Sequence, residues 1–311
     1  MLISVIICTH NPRLSHLERV LAALRAQTLA ATEWELLLID NASDQSFRKE
    51  IDLDWLPRAR CLREEKIGLT HARRCGIAES RGECLVFVDD DNVLQPDYLA
   101  KVLEIAREHS RLGAWSGQVL PEFEITPPDE IKPFLGVLCL RKLERDFWGN
   151  TPVWGHVPWG AGMCVRREVA QRYQQEVRDN PLRLALGHAG NRVSCHDDTD
   201  LALTGFDLGL GTGLFRALVL THLIPTRRLK EEYLLTLMER SAAAFVVLRR
   251  VRGIAINGEP NGVDRWIKQL EYWRGTSAQK KIADARRRGE AAGHEMAAHL
   301  PMPPAACPVM K

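Results

Sequence analysis

The chain opens on Ile3-Ser4-Val5-Ile6-Ile7-Cys8, an almost unbroken apolar run, and such runs return at Trp34 to Ile39 and Cys84 to Val88. Short apolar stretches rich in β-branched and aromatic residues read as strands buried on both faces, as parallel strands are. A shorter, weaker strand is expected around Ala59 to Arg63. Between these strands the period changes. From His16 to Gln27 the apolar positions are Leu17, Val20, Leu21 and Leu24, one face of a helix, and a second helix is expected from about Thr70 to Glu79. Alternation of this kind predicts an open parallel α/β sheet. Ligands of such sheets bind beyond the carboxyl ends of the strands, near a switch point in strand order.

Farther along, Thr199 to Phe206 reads as a helix and Leu218 to Pro225 as a strand, the latter preceded by the glycine-bearing stretch from Gly209 to Gly213. The polar, glycine-bearing stretch from Gly187 to Cys195 suits a mobile lid. From Glu231 to Arg252 apolar residues at Leu234, Leu235, Met238, Ala242, Phe245, Val246 and Leu248 share the segment with Arg240, Arg249, Arg250 and Arg252. That is an amphipathic basic helix, and its apolar stripe must be covered by the rest of the fold, a second subunit or a lipid surface. Residues 253–262 read as a linker, Val263 to His299 as a charged helix, and Pro301 to Lys311 as disordered.

Composition narrows the class. A chain of 311 residues with 45% hydrophobic and 26% charged residues is ordinary for a soluble globular protein. A net charge of +2 offers no footprint for nucleic acid. The eight cysteines (Cys8, Cys61, Cys75, Cys84, Cys139, Cys164, Cys195 and Cys307) include no CxxC pair, and several lie in apolar runs. They suit buried thiols of a reducing cytosol better than a disulfide framework or a zinc site. No segment has the roughly 20 apolar residues of a membrane span, and Met1 to Val5 lacks the basic start of a signal peptide. A cytoplasmic protein is expected, with the basic helix as a candidate contact to a membrane face or to a second copy.

The candidate chemistry lies at three strand ends: Thr9-His10-Asn11, Asp40-Asn41 and Asp89-Asp90-Asp91. Three carboxylates where a strand leaves the core repel one another unless a cation sits among them. Mg²⁺ or Mn²⁺ prefers carboxylate oxygens and uses one or two of them together with substrate phosphates. The competing reading is a solvated acidic turn that leads through Pro96 into the next helix.

Taken in order, these motifs resemble those of family 2 glycosyltransferases with the GT-A fold. The resemblance rests on Thr9-His10-Asn11, Leu38-Ile39-Asp40-Asn41-Ala42-Ser43, Gly68-Leu69-Thr70-His71-Ala72-Arg73, Val88-Asp89-Asp90-Asp91-Asn92, Trp159-Gly160-Ala161-Gly162-Met163 and Asp197-Asp198-Thr199-Asp200-Leu201. It departs from the family pattern at Arg74, where Asn is usual, and at Asp197, where Glu is usual. The resemblance implies an α/β, Rossmann-like, mixed but mainly parallel sheet flanked by helices, with a helical C-terminal extension. It implies a domain over 1–228, divided into a nucleotide-binding half (1–120) and an acceptor half (121–228), then a helix over 229–252 and a tail over 253–311.

The activity so implied is metal-dependent, inverting transfer of a sugar from a nucleoside diphosphate sugar, UDP-linked by first choice, to a hydroxyl of a glycan or lipid-linked acceptor. Mn²⁺ or Mg²⁺ would be held by Asp91, with His222 completing the shell, or else His222 is a strand-end histidine bonded to backbone. Asp89 or Asp90 would accept from ribose hydroxyls. Asp40 would accept from a base N–H or cap a turn with Ser43, while Thr9 and Asn11 line the base pocket. Arg73 would meet base or diphosphate, or be an exposed helical arginine. Asp198 would be the general base, or part of an acidic helix start with Asp197 and Asp200. Trp159, Gly160 and Asp197 are assigned to the acceptor side, with Trp148 and Trp154 as further indoles that stack on sugars or simply anchor the core. Two other readings use the same residues. A nucleotidyltransferase or sugar-nucleotide pyrophosphorylase would want a glycine-rich phosphate loop after the first strand, and a non-catalytic nucleotide-sugar-binding module would dispense with Asp91 or Asp198.

Overall fold

The computed structural model describes residues 2–187, 195–253 and 272–298. Most of the expected lid, the 253–262 linker beyond Gly253, the start of the charged helix and the C-terminal stretch lie outside the described residues.

The strands form where the apolar runs are. They are β1 (Ile3–Thr9), β2 (Trp34–Asn41), β3 (Ala59–Glu64), β4 (Cys84–Asp89), β5 (Asn92–Leu94), β6 (Leu112–Phe123), β7 (Phe147–Gly149), β8 (Met163–Arg166) and β9 (Gly211–Ile224). The helices are α1 (Leu14–Arg25), α2 (Leu69–Glu79), α3 (Tyr98–Glu108), α4 (Arg167–Asp179), α5 (Asp197–Asp207), α6 (Glu231–Val251) and α7 (Ser277–Ala298). In α1 the four periodic residues, Leu17, Val20, Leu21 and Leu24, are the buried ones. The strand β9 is longer than the apolar run alone suggests: it begins at Gly211, inside the glycine-bearing stretch, and pairs there with the end of β7 and the start of β6.

The nine strands of the described residues join one mixed sheet in the order β3-β2-β1-β4-β8-β6-β9-β5, with β7 also on β9. Its longest ladders are parallel: β1 with β2 and β4, β2 with β3, and β6 with β9. The chain runs outward from β1 to β3 and then returns to place β4 on the other side of β1. The switch point therefore falls between β1 and β4, where Cys8 is opposite Asp89. Alternation along β1 sends Ile3, Val5 and Ile7 to a core shared with α1 and α3, and Ile6 to a second core under α2, α4 and α5.

The apolar stripe of α6 finds its cover within the chain. Its first half packs Leu234 and Met238 against Phe134, Leu138 and Ala285 of α7, and its second half packs Val247, Leu248 and Val251 into the core under α5. The two C-terminal helices approach closely because Gly289 and Gly293 of α7 face α6, where a Cβ would meet the Glu239 and Ala243 carbonyls. Lys281 with Glu231 (2.7 Å) and Arg288 with Glu239 (2.8 Å) tie their outer edges. No described helix is long and apolar enough to cross a membrane.

Candidate active site

Beyond the ends of β1 and β4 lies a cleft of about 1160 Å³, lined among others by Thr9, Arg73, Asp89 to Asp91, Trp159, Gly160, Asp197, Asp198 and His222. Parallel register aligns the polar strand ends: Thr9 is opposite Asp40 on β2, and Asp40 is opposite Arg63 on β3. Asn11 and Ala42, with φ of 50° and 52°, take the left-handed conformation just past the first two strands and turn the chain sharply out of the sheet.

Side chains then lock these turns to one another. Asn11 donates to Asp44 Oδ2 (2.8 Å) and accepts from the Asp44 N–H (2.9 Å). The buried Asn41 side chain donates to the Lys66 carbonyl (2.7 Å) and accepts the Gly68 N–H (2.8 Å), which fixes the entry to α2. Asp40 Oδ1 accepts the Ser43 N–H at 3.0 Å, the turn cap, while its Oδ2 pairs with Arg63 at 2.7 Å. Asp40 lines a second, smaller recess of about 400 Å³ with Arg48, Cys61 and Arg63. Neither Asn11 nor Asp40 lines the main cleft.

The acidic run is not a solvated turn. Asp91 is 7% exposed, and the Thr9 hydroxyl donates to the Asp90 carboxylate. Burial, with the Asp91 carboxylate beside them, pushes both Asp89 and Asp90 up to about 6. Asp91 is also buried, but the neighbouring His222 imidazole and the charge of Arg228 outweigh that and hold it below the usual carboxylate range. His222 reaches Asp91 because the short β5 pairs antiparallel with β9, setting Asn92 opposite His222. Its Nε2 is 3.5 Å from Asp91 Oδ2, and Arg228 Nη1 is 3.0 Å from the same oxygen.

A carboxylate and an imidazole facing one cleft are donors that Mn²⁺ accepts. Two protein ligands are too few for a protein-only cage but suit a cation that takes its remaining ligands from phosphate oxygens and water. No group of three or more His, Cys, Asp and Glu able to hold a metal converges among the described residues. The donor set fits a half-site that a diphosphate would complete.

Across the cleft, α5 begins with the paired aspartates. Asp197 is 3% exposed and its Oδ2 accepts from Arg73 Nη1 (2.5 Å) and from the Thr70 hydroxyl (3.3 Å). Arg73, also buried, packs its guanidinium 5.9 Å from the Phe87 ring centre. Burial works against its charge, but Asp197, Asp198 and Asp89 together raise its pKa further. Asp198 is held differently: Oδ2 accepts the Gly160 N–H (2.7 Å) and Oδ1 the Thr199 N–H (2.6 Å). A Cβ at Gly160 would lie 2.6 Å from Arg73 Nη2 and 3.1 Å from Asp198 Oδ2, so a larger residue would have to displace both side chains. Gly162, at φ +67°, completes the turn, with its carbonyl accepting from the Tyr98 hydroxyl (2.7 Å). Trp159 lines the cleft with the Arg141 guanidinium 3.6 Å over its ring.

The family profile described as glycosyl transferase family 2 matches residues 4–173. The chain belongs to that family. Succinoglycan biosynthesis protein ExoM of Rhizobium meliloti is 27% identical over 225 residues, 68% of this chain and 63% of ExoM. The glycosyltransferase YwdF of Bacillus subtilis is 29% identical over 102 residues, 33% of this chain and 37% of YwdF. The chain thus spans less than two thirds of the length of either relative. Among solved structures, the mannosyltransferase PcManGT of Pyrobaculum calidifontis, in complex with GDP-Man and Mn²⁺, superposes with a TM-score of 0.55 at 19% identity, over 97% of this chain and 76% of that one. S. aureus TarS 1–349 superposes with a TM-score of 0.51 at 12% identity, over 95% and 92%. The GT-A-type fold is common to all three.

In this family 2 protein the main cleft gathers ten of the twelve residues that the sequence singled out, leaving Asn11 and Asp40 to the turns beside it. Arg73 is not an exposed helical arginine, and Asp197 is occupied by it. Trp148 is 58% exposed, stacks on Phe215 and takes no part in the cleft. Three contributions are not legible in the sequence. Asn41 reads only as a polar strand end, Arg228 only as one of several basic residues after Pro225, and Ile282, Arg286 and Glu290 of α7 line the cleft from what reads as a tail. Their spacing of four residues along α7 is the signal that one face of that helix is turned to the cleft.

Proposed function

We propose that this chain transfers a sugar from a nucleoside diphosphate sugar to a hydroxyl acceptor by direct displacement with inversion, in the assembly of a glycan or glycolipid. The observation that carries the reading is one cavity holding two chemistries. The Asp89–Asp91, His222 and Arg228 cluster at the β4 end suits a diphosphate with its cation, and a carboxylate held by two backbone N–H groups faces it from α5. The name of ExoM and the GDP-Man and Mn²⁺ bound to PcManGT agree with this reading.

Asp198 is the general base. As the acceptor oxygen attacks the anomeric carbon, its proton passes to the Asp198 carboxylate and the anomeric C–O bond breaks, the electron pair leaving with the diphosphate oxygen. The Gly160 and Thr199 N–H groups keep that carboxylate in one orientation. Asp91 and His222 would hold a divalent cation, which would supply Lewis-acid stabilisation of the diphosphate leaving group. Arg73, fixed by Asp197, brings a permanent positive charge to the wall of the cleft. Thr9 positions Asp90 for ribose hydroxyls, with Asp89 beside it. Trp159 would offer the acceptor an indole face.

The test is release of nucleoside diphosphate from a panel of UDP- and GDP-sugars, with Mn²⁺, Mg²⁺ or EDTA present. Release that needs the cation and is accelerated by hydroxyl acceptors is expected. Nucleotide binding without any release would make the protein a binding module and overturn the reading.

The raised carboxylates give the metal-free protein a pH dependence. Asp89 and Asp90 hold protons in the folded state up to about 6, whereas the unfolded chain releases them near 3.8. Between these values the native state binds more protons, so stability falls as pH rises through the window from about 4 to 6. Asp90→Asn removes one of the two titrations. In EDTA, its unfolding free energy from urea titration should decline less than that of the wild type between pH 4 and 7, by a difference on the order of 1 kcal/mol. Parallel declines would show that Asp90 is not held protonated.

A further inference from the structure

Arg228 stands between the two side chains that would hold a divalent cation. Its Nη1 lies 3.0 Å from Asp91 Oδ2 and 2.9 Å from His222 Nε2. A guanidinium has donors only, so Nε2 of His222 is the acceptor and the ring proton sits on Nδ1. An imidazole nitrogen has a single in-plane lone pair, and it is the one a metal would need. Arg228 and a metal ion therefore cannot both engage Nε2. Repulsion between a divalent ion and a guanidinium sharing one buried carboxylate acts in the same direction.

The cluster is also incompletely bonded. Arg228 Nε, His222 Nδ1 and Asn92 Oδ1 are buried without a hydrogen-bond partner. Metal-bound histidines ordinarily donate their second N–H to an acceptor that orients the ring, and His222 has none. Unsatisfied donors in a part-buried site are costly, so an incoming anion has groups to satisfy there. Arg228 lines the cleft with a quarter of its side chain exposed, which leaves it room to move towards a ligand.

We propose that Arg228 is a displaceable internal cation: it occupies the Asp91–His222 pair in the free protein and gives it up to the metal when a nucleoside diphosphate offers the guanidinium a new anion. The proposal rests on the reading of Asp91 and His222 as the metal ligands. Metal and nucleotide then bind with positive coupling, because each removes an obstacle to the other. Coupling is reciprocal, so Mn²⁺ strengthens nucleotide binding by the same factor as nucleotide strengthens Mn²⁺ binding.

The experiment measures Mn²⁺ affinity of the full chain by the electron spin resonance signal of free Mn²⁺, alone and with saturating UDP or GDP. Wild type should bind Mn²⁺ weakly alone and on the order of tenfold or more tightly with nucleotide. Arg228→Met keeps the length and apolar stem of the side chain without its charge. It should bind Mn²⁺ more tightly than wild type in the absence of nucleotide, and the gain on adding nucleotide should shrink. Arg228→Gln serves if the Met variant does not fold, and Arg227→Met, an exposed charge on the same turn, should behave as wild type. Equal Mn²⁺ affinity of wild type and Arg228→Met without nucleotide, with both binding the ion in its presence, would overturn the displacement while leaving the metal reading intact. Absence of Mn²⁺ binding in every protein and condition would overturn both.

Discussion

Asp198→Asn is expected to lower transfer by a factor on the order of 10² or more, the usual contribution of a general base, while nucleotide affinity stays nearly unchanged. The geometry separates the two effects. Asp198 touches backbone N–H groups of Gly160 and Thr199, whereas the cation-and-diphosphate cluster is built from Asp89 to Asp91, His222 and Arg228. An asparagine presents one oxygen and one NH₂ group, so one of those two N–H groups would face a donor. A stability loss on the order of 1–3 kcal/mol is therefore expected, and rates must be compared well below the melting transition. Single-turnover transfer with a bound donor is the measurement that isolates the chemistry. Transfer at a near wild-type rate would place the base elsewhere. Asp197 is a poor substitute, because Arg73 and Thr70 already occupy its Oδ2.

Sequence carried the strands and helices of the nucleotide-binding half because their burial pattern is local. Ile3 to Cys8 and Leu17 to Leu24 declare their periods without reference to anything distant in the chain. Motif order likewise brought Asp91, Asp198 and Arg73 into one expected site, and they do line one cleft. What failed to show was pairing between distant segments. The strand β5 has three residues and follows an acidic run, too little for a period to appear, yet its pairing with β9 is what sets His222 beside Asp91. Arg228 is one of several basic residues after Pro225, and only the tertiary turn decides which of them points inward while Arg227 stays exposed. In Asp40 and Asn11 the side chains satisfy neighbouring turns, so residue type alone could not distinguish a ligand contact from a cap. The charged composition of α7 reads as a solvated tail, but its small residues Ala285, Gly289, Gly293 and Ala297 form the buried face against α6.

The largest stability effect is expected at Arg252, which joins the end of α6 to the helix that carries Asp198. Its Nε donates to Asp200 Oδ1 (2.6 Å), Nη1 pairs with Asp207 (2.8 Å), and Nη2 donates to the Asp200 carbonyl (2.6 Å) and the Thr204 hydroxyl (2.8 Å). Asp200 is fully buried, and its remaining charged partner is Arg183 at 3.4 Å. Arg252→Met keeps most of the packing but leaves a buried carboxylate short of its main cation and takes one donor each from Asp207, the Asp200 carbonyl and the Thr204 hydroxyl, of which the carbonyl retains the Thr204 hydroxyl as a donor. Breaking a buried pair from one side costs about 3–5 kcal/mol, and the retained Arg183 contact argues for the lower part of that range. Urea denaturation should show the midpoint falling sharply. Adding Asp200→Asn should recover part of the loss, because the uncompensated charge goes with it. The recovery distinguishes this mechanism from simple loss of packing, which the second substitution would leave unrepaired. Since α5 also presents Asp198, the single variant should lose transfer activity at temperatures where the wild type is fully active and regain it on cooling. An unchanged midpoint in Arg252→Met would mean that α6 is held to the domain by its apolar face alone, through Val247, Leu248 and Val251.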